Sequence, residues 1–439
     1  MRHRSRSARS WRRVGISALA ACAVLPIAAC SSSSNSSSAQ KNDPNATVLV
    51  WTDSTRLPAF QAFEKADPAT KLKIEVVDPA SLLTKIQLAN RVGSGWPDVI
   101  FDATPSDVAS LSSPLFNYAE PLNTLVPQSV QDDFATHNAA CTIDGKLYCL
   151  QNDLAQDVLW YNKPLMAKFG YQVPTTWAQY QALGEQLAKD HPGYLIGAAG
   201  ASTVYYDYLW SSGCPLQAVT SSTQVTINAA DSRCTRVASM LDPLLADGSV
   251  SRLSPFDAGL EKIASSKLLM MPAASWFGPY MFKATTAYDF PKGEIAAAPM
   301  PTWPAEATGL SGAEGGGIYV VSAHAANITG AVAAAQWVAT NNAYQATAPT
   351  YPAYIPAAQA WLAATKADPF YAQDPSAVLI AAAGNINPVE RATRYPIEAP
   401  VDSTIVAAIT GGQSLASALP TLQTQLSGLA QSSGYAVTN

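Results

Sequence analysis

The chain has few of the side chains that most catalytic and metal sites require. Only 13% of its 439 residues are Asp, Glu, Lys or Arg, and it has four histidines. The zinc-protease pattern H-E-x-x-H and the lysine-bearing phosphate loop are absent, and residues 309–313 (GLSGA) lack the last glycine of a nucleophile elbow. We therefore expect no catalytic residues, no metal and no cofactor.

Clustered basic charge and long apolar runs are also missing beyond the first residues. Six of the 27 basic residues and none of the 32 acidic residues precede Cys30, which leaves 21 basic against 32 acidic residues after it. A net charge of about −11 repels phosphate backbones, so no nucleic-acid partner is expected. No apolar run of the roughly 20 residues that span a bilayer follows Cys30 either.

The N-terminal segment has the pattern of an export signal. Six arginines precede a small and apolar run at 14–29, which ends in residues 25–30 (LPIAAC). This ending resembles the lipobox of bacterial lipoproteins, in which cleavage precedes the cysteine and lipid is attached to it. We therefore predict a lipoprotein signal peptide over 1–29, lipidation of Cys30, and a flexible serine-rich tether over 30–45.

Two other interpretations of this segment stay open. The small residues Ala28 and Ala29 also suit an ordinary signal cleavage, and Arg12-Arg13 weakly resemble a twin-arginine signal. In every case the remaining chain lies outside the cytoplasm. The lipobox predicts in addition that the protein is anchored to the cell membrane.

Four further cysteines follow Cys30, an even number for a chain in an oxidising compartment, so two disulfides are expected. Nearness in sequence favours the pairs Cys141–Cys149 and Cys214–Cys234, which is one of three connectivities. Zinc is the alternative use of four cysteines, but C-x₂-C spacing is absent.

The first pair of cysteines brackets the turn signal Asp144-Gly145 within an alternating pattern. A two-residue turn sets Cys141 opposite Tyr148, whereas a three-residue loop sets it opposite Cys149. The disulfide therefore predicts a bulged hairpin.

Short apolar segments alternate with amphipathic segments of helical length along the rest of the chain. The pattern predicts strands at 47–51, 72–77, 97–101, 158–161 and 318–321, and helices at 57–66, 81–92, 176–189 and 330–340. Helix starts are marked by Pro58, Ser81 and Thr176. This alternation is typical of an α/β protein with largely parallel sheets.

Several of these segments resemble a known family in both order and spelling. They are 48–53 (VLVWTD), 95–101 (GWPDVIF), 144–148 (DGKLY), 159–164 (LWYNKP) and 170–177 (GYQVPTTW), with weaker matches at 270–276, 298–301, 315–318 and 333–337. They are similar to the extracellular solute-binding proteins of ABC importers, in the group that includes maltose-binding-type sugar-binding lipoproteins. The resemblance covers most of residues 46–360.

The resemblance implies a type II periplasmic-binding-protein fold with two discontinuous α/β lobes joined by hinge crossovers. On this basis we expect lobe 1 at 46–155 and 305–345, and lobe 2 at 156–304 and 346–439. It also implies a monomer that captures a mono- or oligosaccharide between its lobes and delivers it to the membrane permease of an ABC transporter.

A sugar site combines aromatic faces, which cover apolar C–H surfaces, with planar polar groups for hydroxyls. Open α/β sheets bind ligands where their strands end. In the first lobe this position holds Trp51, Asp53, Arg56 and Asp102. Trp51 is as well explained as a core aromatic, and Asp102 as a plain loop acid.

The remaining candidates come from the lobe crossover and the second lobe. They are Asn152, Asp153, Asp157, Tyr205, Tyr206, Asp207, Trp210, Trp276, Gly316 and Arg391. The segment 205–210 instead suits a packed helix face, Gly316 a flexible turn and Arg391 a surface ion pair. Of these, Trp276 is the strongest candidate for an aromatic platform.

Two other functions remain as alternatives. The same fold serves non-sugar solutes such as a polyamine, a glycerophosphodiester or an iron chelate, and acidic, aromatic walls suit a polyamine. A secreted glycoside hydrolase needs two carboxylates at a fixed separation, and the sequence marks no such pair.

The membrane anchor can be tested directly. Replacing Cys30 by Ala removes the only residue to which lipid is expected to be attached, so the protein should move from the membrane fraction to the soluble fraction. Fractionation with a high-salt wash and immunoblotting measures this. A variant that stays with the membrane contradicts the lipoprotein interpretation.

Overall fold

A computed structural model describes residues 42–387 and 395–438 of the chain. The strands are β1 (Val48–Thr52), β2 (Leu72–Val76), β3 (Val99–Asp102), β4 (Thr142–Ile143), β5 (Lys146–Leu147), β6 (Leu150–Gln151), β7 (Asp157–Asn162), β8 (Gly197–Ala198), β9 (Ala218–Ser221), β10 (Gln224–Thr226), β11 (Val250–Ser251), β12 (Met270–Ala274), β13 (Ile295–Ala298), β14 (Ile318–Val321) and β15 (Ala436–Thr438).

The α-helices are α1 (Leu57–Ala66), α2 (Pro79–Val92), α3 (Val108–Leu111), α4 (Gln128–Asp132), α5 (Lys163–Phe169), α6 (Trp177–Asp190), α7 (Ser202–Trp210), α8 (Ser232–Asp247), α9 (Ala258–Lys267), α10 (Ile328–Thr340), α11 (Asn342–Gln345), α12 (Ile355–Lys366), α13 (Ser376–Gly384), α14 (Glu398–Val401), α15 (Ala407–Thr410) and α16 (Leu415–Ser432). Short 3₁₀ turns lie at Pro105–Asp107 and Ala135–Cys141, and π-helical turns at Gly278–Phe282 and Asp402–Val406.

The first large sheet has five strands in the order β2-β1-β3-β14-β6. Strands β2, β1 and β3 run parallel, as their alternation with α1 and α2 predicts, and β14 runs antiparallel to both neighbours. Helix α1 packs against α10 and buries Phe60 and Phe63. The sheet edge where β1 and β3 end is therefore a rigid support for the residues that follow them.

The second large sheet has three strands in the order β12-β7-β13, and both pairings are antiparallel. The expectation of largely parallel sheets is therefore wrong for this part. All six residues of β7 are buried, and helices α5 and α13 contact the strand. The continuous apolar run at 158–161 correctly predicts that the strand is buried, but such a run does not indicate whether a strand is parallel or antiparallel to its neighbours.

The chain crosses between the two large sheets twice along β-structure. It leaves the first sheet after β6 and enters the second at β7, and it returns between β13 and β14. Two hydrophobic clusters accompany the sheets, one around Phe60 and Tyr319 and one around Trp177 and Leu241. The residues between β6 and β7 lie at the junction.

Both disulfides have the predicted pairing, Cys141–Cys149 and Cys214–Cys234. The bulged hairpin is wrong, however. Strands β4 and β5 pair Ile143 with Lys146, so the turn holds two residues. Asp144 and Gly145 adopt the left-handed conformation that such a turn requires. Cys141 ends a 3₁₀ turn instead of lying in a strand, and this position lets it reach Cys149.

Helix starts follow local chemistry. Thr176 caps α6, as predicted, and it also forms a reciprocal capping box with Gln179. Helix α2 starts earlier than predicted, because the Asp78 carboxylate accepts from the Ala80 N–H and Pro79 suits the first turn. Ser81 is therefore not the cap.

Within the described part of the chain, no helix has both the length and the apolar composition needed to cross a bilayer.

Of the two disulfides, the one that closes the longer loop should contribute more to the free energy of unfolding. Cys214 and Cys234 are separated by 20 residues in sequence, against 8 for the other pair. Replacing both Cys214 and Cys234 by Ser should lower the free energy of unfolding by about 3 kcal/mol, because the unfolded chain gains conformational freedom. Urea denaturation measures the loss, and the Cys141/Cys149 double variant should lose somewhat less.

Candidate functional site

The segment after β1 is held against the crossover by a partly buried arginine. The Arg56 guanidinium lies 3.3 Å from an Asp53 carboxylate oxygen and 3.8 Å from one of Asp153, and it covers the Phe101 ring at 4.4 Å. Burial lowers the pKa of Arg56, but the charge of Asp153 and smaller contributions from other groups outweigh it and raise the pKa overall. Arg56 is therefore cationic and already paired.

Asn152 and Asp153 join the crossover to its surroundings through hydrogen bonds. The Asn152 amide donates to Asp153 at 2.7 Å, and its carbonyl oxygen accepts from the Tyr319 hydroxyl at 3.0 Å. Burial raises the pKa of Asp153, although the neighbouring Arg56 opposes the rise. Both predicted residues thus serve first to fix the crossover.

Trp51 is the penultimate residue of β1, and its ring faces the neighbouring strand β2. Its indole N–H donates to Glu75 on β2 at 3.1 Å, and the Lys85 ammonium lies over its ring at 5.7 Å. Trp51 therefore contacts side chains from β2 and α2. This corresponds to the packing role that the sequence left open.

Three carboxyl groups meet beside the start of β7, and we call Asp157, Asp207 and Glu314 the carboxyl cluster. Asp157 is fully buried and shares a hydrogen bond with Asp207, while its other contacts include the Glu314 N–H at 3.5 Å. Burial raises the pKa of Asp157 to about 7. Burial together with the charge of Asp157 raises the pKa of Glu314 to about 8, and the Thr203 hydroxyl partly offsets this.

Helix α7 carries aromatic rings next to the carboxyl cluster. Tyr206 and Trp210 stack at 4.7 Å, and a side chain at Gly312 would collide with both Asp157 and Trp210. Tyr205, Tyr206 and Trp210 all belong to the second hydrophobic cluster, and Tyr205 is fully buried. The packing role that the sequence left open for this segment therefore applies to all three rings, and Trp210 is the ring that lies beside Asp157.

Trp276 lies beside the same cluster. Its indole N–H donates to the Glu314 carbonyl at 2.8 Å, and its ring packs on Phe277 at 4.4 Å. Tyr280, one turn further on, is 42% exposed, and its hydroxyl lies 2.8 Å from that of Thr55. This contact joins the segment after β12 in one sheet to the segment after β1 in the other.

Asp102, the last residue of β3, is buried, and one of its carboxylate oxygens accepts from the Thr104 N–H at 3.0 Å. The other oxygen has no hydrogen-bond partner among the described residues. Burial raises the pKa of Asp102 to about 7. It is thus a buried acid with unused hydrogen-bonding capacity at the sheet edge.

Gly316 approaches protein backbone closely. A side chain there would lie 2.9 Å from the Asp153 carbonyl, and the Gln151 amide donates to the Gly316 carbonyl. Its left-handed conformation therefore serves the packing of the crossover. Arg391 lies outside the described residues.

Two residues of this region, Glu314 and Tyr280, have no clear signal in the sequence. Glu314 precedes the glycines 315–317, and its burial depends on contacts with β7 and α7. Tyr280 lies in a π-helical turn that periodicity does not predict. Among the described residues no group of His, Cys, Asp and Glu has the arrangement needed to hold a metal ion.

The two sheets, the crossovers between them and the polar and aromatic residues at their junction define a two-lobed binding protein of the type II periplasmic-binding-protein fold. The sequence model of the family described as bacterial extracellular solute-binding protein matches residues 50–345. The chain belongs to this family. A search of curated proteins finds no match.

Solved structures of sugar-binding proteins share the fold. The galacto-N-biose-/lacto-N-biose I-binding protein of Bifidobacterium longum, in complex with lacto-N-biose, is 18% identical, with a TM-score of 0.76 and coverage of 91% of this chain and 100% of that one. The binding protein from B. animalis subsp. lactis Bl-04, in complex with beta-1,6-galactobiose, is 18% identical, with a TM-score of 0.71 and coverage of 90% and 99%. The GacH receptor of Streptomyces glaucescens GLA.O is 20% identical, with a TM-score of 0.68 and coverage of 89% and 99%.

The raised pKa values of Asp157 and Glu314 predict pH-dependent stability. In the unfolded chain these groups titrate near pH 4, so between pH 4 and about 8 the folded protein binds more protons than the unfolded chain. The ligand-free protein should therefore become more stable as pH falls from 8.5 to 5.5, by at most about 1.4 kcal/mol per pH unit for each group. Glu314→Gln should flatten this dependence in thermal unfolding.

The exposed Asp132→Asn variant is the control and should keep the wild-type slope. Equal slopes in the wild type and in Glu314→Gln would contradict the proposed titration of Glu314.

Proposed function

We propose that this protein is an extracytoplasmic binding protein that captures a carbohydrate between its two lobes for an ABC transporter. The observation that carries the proposal is the junction itself, where aromatic rings and carboxyl groups attached to both sheets come together. Membership of the solute-binding family and similarity to structures with bound lacto-N-biose and beta-1,6-galactobiose support it.

The chemistry of the junction suits a sugar. Trp276 offers a partly exposed ring for an apolar sugar face, while Asp53 and Asp102 offer carboxylate oxygens for hydroxyl groups. The contact between Thr55 and Tyr280 indicates that the lobes approach each other closely on this side. We infer that closure encloses the ligand, as hinge motion does in this fold.

The two crossovers between the large sheets also suggest how the chain divides into two lobes. We infer that residues 46–155 and 305–345 form lobe 1 and that 156–304 and 346–439 form lobe 2. The passage from β6 to β7 and the return from β13 to β14 support boundaries near 155 and 305. The hydrogen bonds of Asn152 and Asp153 then fix the position of the first crossover.

We further propose that the protein acts as a monomer, carries lipid on Cys30, and passes its sugar to the membrane permease without altering it. Cys30 lies outside the described residues, so its sequence context alone supports the anchor. The absence of a catalytic motif in the sequence supports binding without catalysis.

Titration calorimetry with a panel of mono- and oligosaccharides, together with small-angle scattering, tests the function. The right sugar should bind and reduce the radius of gyration, because it favours the closed form. Trp276→Ala should then weaken binding by about 1–3 kcal/mol, or roughly 5- to 150-fold, since a stacking surface is lost.

One result would contradict the proposed function, and another would contradict the proposed role of Trp276. If no sugar in a broad panel binds, the proposed function is wrong. If Trp276→Ala unfolds at a much lower temperature in the absence of ligand, the ring serves the core; the partly exposed Trp337→Ala on α10 is a matched control for loss of a tryptophan.

A further inference from the structure

The most exposed aromatic side chains of the described chain are neighbours of Trp276. Phe256 is 49% exposed and Tyr280 is 42% exposed, whereas every other described Phe, Tyr and Trp is buried or partly buried. The ring centroids of Phe256 and Tyr280 each lie 6.3 Å from the centroid of Trp276. Adjoining exposed rings are typical of a binding surface, whereas single exposed apolar residues need no explanation.

Phe256 lies between β11 and α9 on a segment that its surroundings hold in place. The Tyr288 hydroxyl donates to the Pro255 carbonyl at 2.9 Å, and Asp257 caps α9. The Phe256 ring also lies 6.2 Å from the buried ring of Phe277. A ring on a fixed segment can bind a ligand with little loss of conformational entropy.

The rings of Phe256 and Trp276 are almost parallel, and we call these two residues the ring pair. Their planes differ by 7°, and their centroids are 6.3 Å apart. A ligand ring between them would need a separation of about 7–8 Å, which is twice the usual contact distance between carbon atoms. A ligand therefore cannot enter between the two rings and must meet them as neighbouring positions.

The other contacts of Trp276 place the ring pair beside the junction. The Trp276 indole N–H donates to the Glu314 carbonyl at 2.8 Å. The Tyr280 ring is perpendicular to that of Trp276, at 89°, and its hydroxyl contacts that of Thr55. Tyr280 therefore stands at an angle to the ring pair, and the parallel faces are those of Trp276 and Phe256.

We propose that the ligand is an oligosaccharide of at least two linked sugar units, and that Phe256 binds the unit next to the one on Trp276. The proposal rests on the proposed function and adds the size of the ligand to it. Each unit of a linked pair has an apolar C–H face, and two such faces match two neighbouring parallel rings. A monosaccharide covers only one ring and leaves the other in water.

The chemistry of the second position determines what it can select. A phenylalanine ring has no hydrogen-bonding atom, so Phe256 does not read the hydroxyl pattern of a sugar. It rewards the presence of a further apolar face. Phe256 should therefore set the minimum length of the ligand, while polar residues of the junction set its identity.

The test compares monosaccharides with their linked forms: galactose with beta-1,6-galactobiose, glucose with maltose, cellobiose and maltotriose, and xylose with xylobiose. Calorimetry should show a linked form bound about tenfold or more tightly than its monosaccharide. Phe256→Ala should weaken binding of that linked form about three- to tenfold and leave the affinity for the monosaccharide unchanged.

Three further variants separate stacking from other effects. Phe256→Tyr keeps an aromatic face and should keep the preference for the linked form, whereas Phe256→Leu keeps an apolar side chain without that face and should lose most of it. Leu115→Ala removes an apolar side chain that is 61% exposed elsewhere on the surface, and it should change neither affinity. Thermal unfolding of each variant checks that it is folded.

The outcomes distinguish the size of the ligand from the function itself. If a monosaccharide binds as tightly as its linked forms, the oligosaccharide proposal is wrong and the sugar function stands. A preference that survives in both Phe256→Ala and Phe256→Leu places the second unit elsewhere and overturns the assignment to Phe256. An equal loss for both lengths also overturns it, because the ring would then support the whole site. If no sugar of either length binds, the proposed function itself fails.

Discussion

The pairing of Arg56 with Asp153 is the interaction on which the junction depends. It joins the start of α1 to the crossover that leads into the second sheet, and Arg56 also pairs with Asp53. A buried ion pair is costly to form but more costly to break, since an unpaired charge remains. Asn152, Tyr319 and the close approach of Gly316 build on this fixed point. Asp53, Arg56 and Asp153 therefore hold one another in place on the side of the first sheet.

Local sequence chemistry predicted much of the fold. The start of α1 and the cap of α6 follow from Pro58 and from Thr176, because these signals act within one turn of helix. The direction of β7 did not follow, since an apolar run records burial and not orientation. The prediction of a bulged hairpin between Cys141 and Cys149 was wrong for a related reason. A disulfide fixes the distance between two cysteines but does not determine the register of the strands between them.

The candidate site was predictable only in part. Asp102, Asp157 and Trp276 follow or begin strands, and strand ends are readable in sequence. Trp51 also lies near a strand end, but strand pleating turns its ring towards Glu75. Glu314 is the opposite case, since nothing in its local sequence sets it apart and only the meeting of β7, α7 and the loop at 311–316 buries it. Side-chain direction and tertiary convergence therefore limit what the sequence reveals.

The hydrogen bond between the hydroxyl groups of Thr55 and Tyr280 affects the equilibrium between open and closed forms of the ligand-free protein. A neutral hydrogen bond contributes about 1 kcal/mol net, which changes a population ratio only about fivefold. Such a contact is too weak to hold an empty protein shut and strong enough to make brief closures frequent. The apparent association constant for the ligand equals the intrinsic association constant multiplied by the fraction of molecules in the binding-competent conformation. Tyr280 would thus set the working concentration range of the protein without touching the solute.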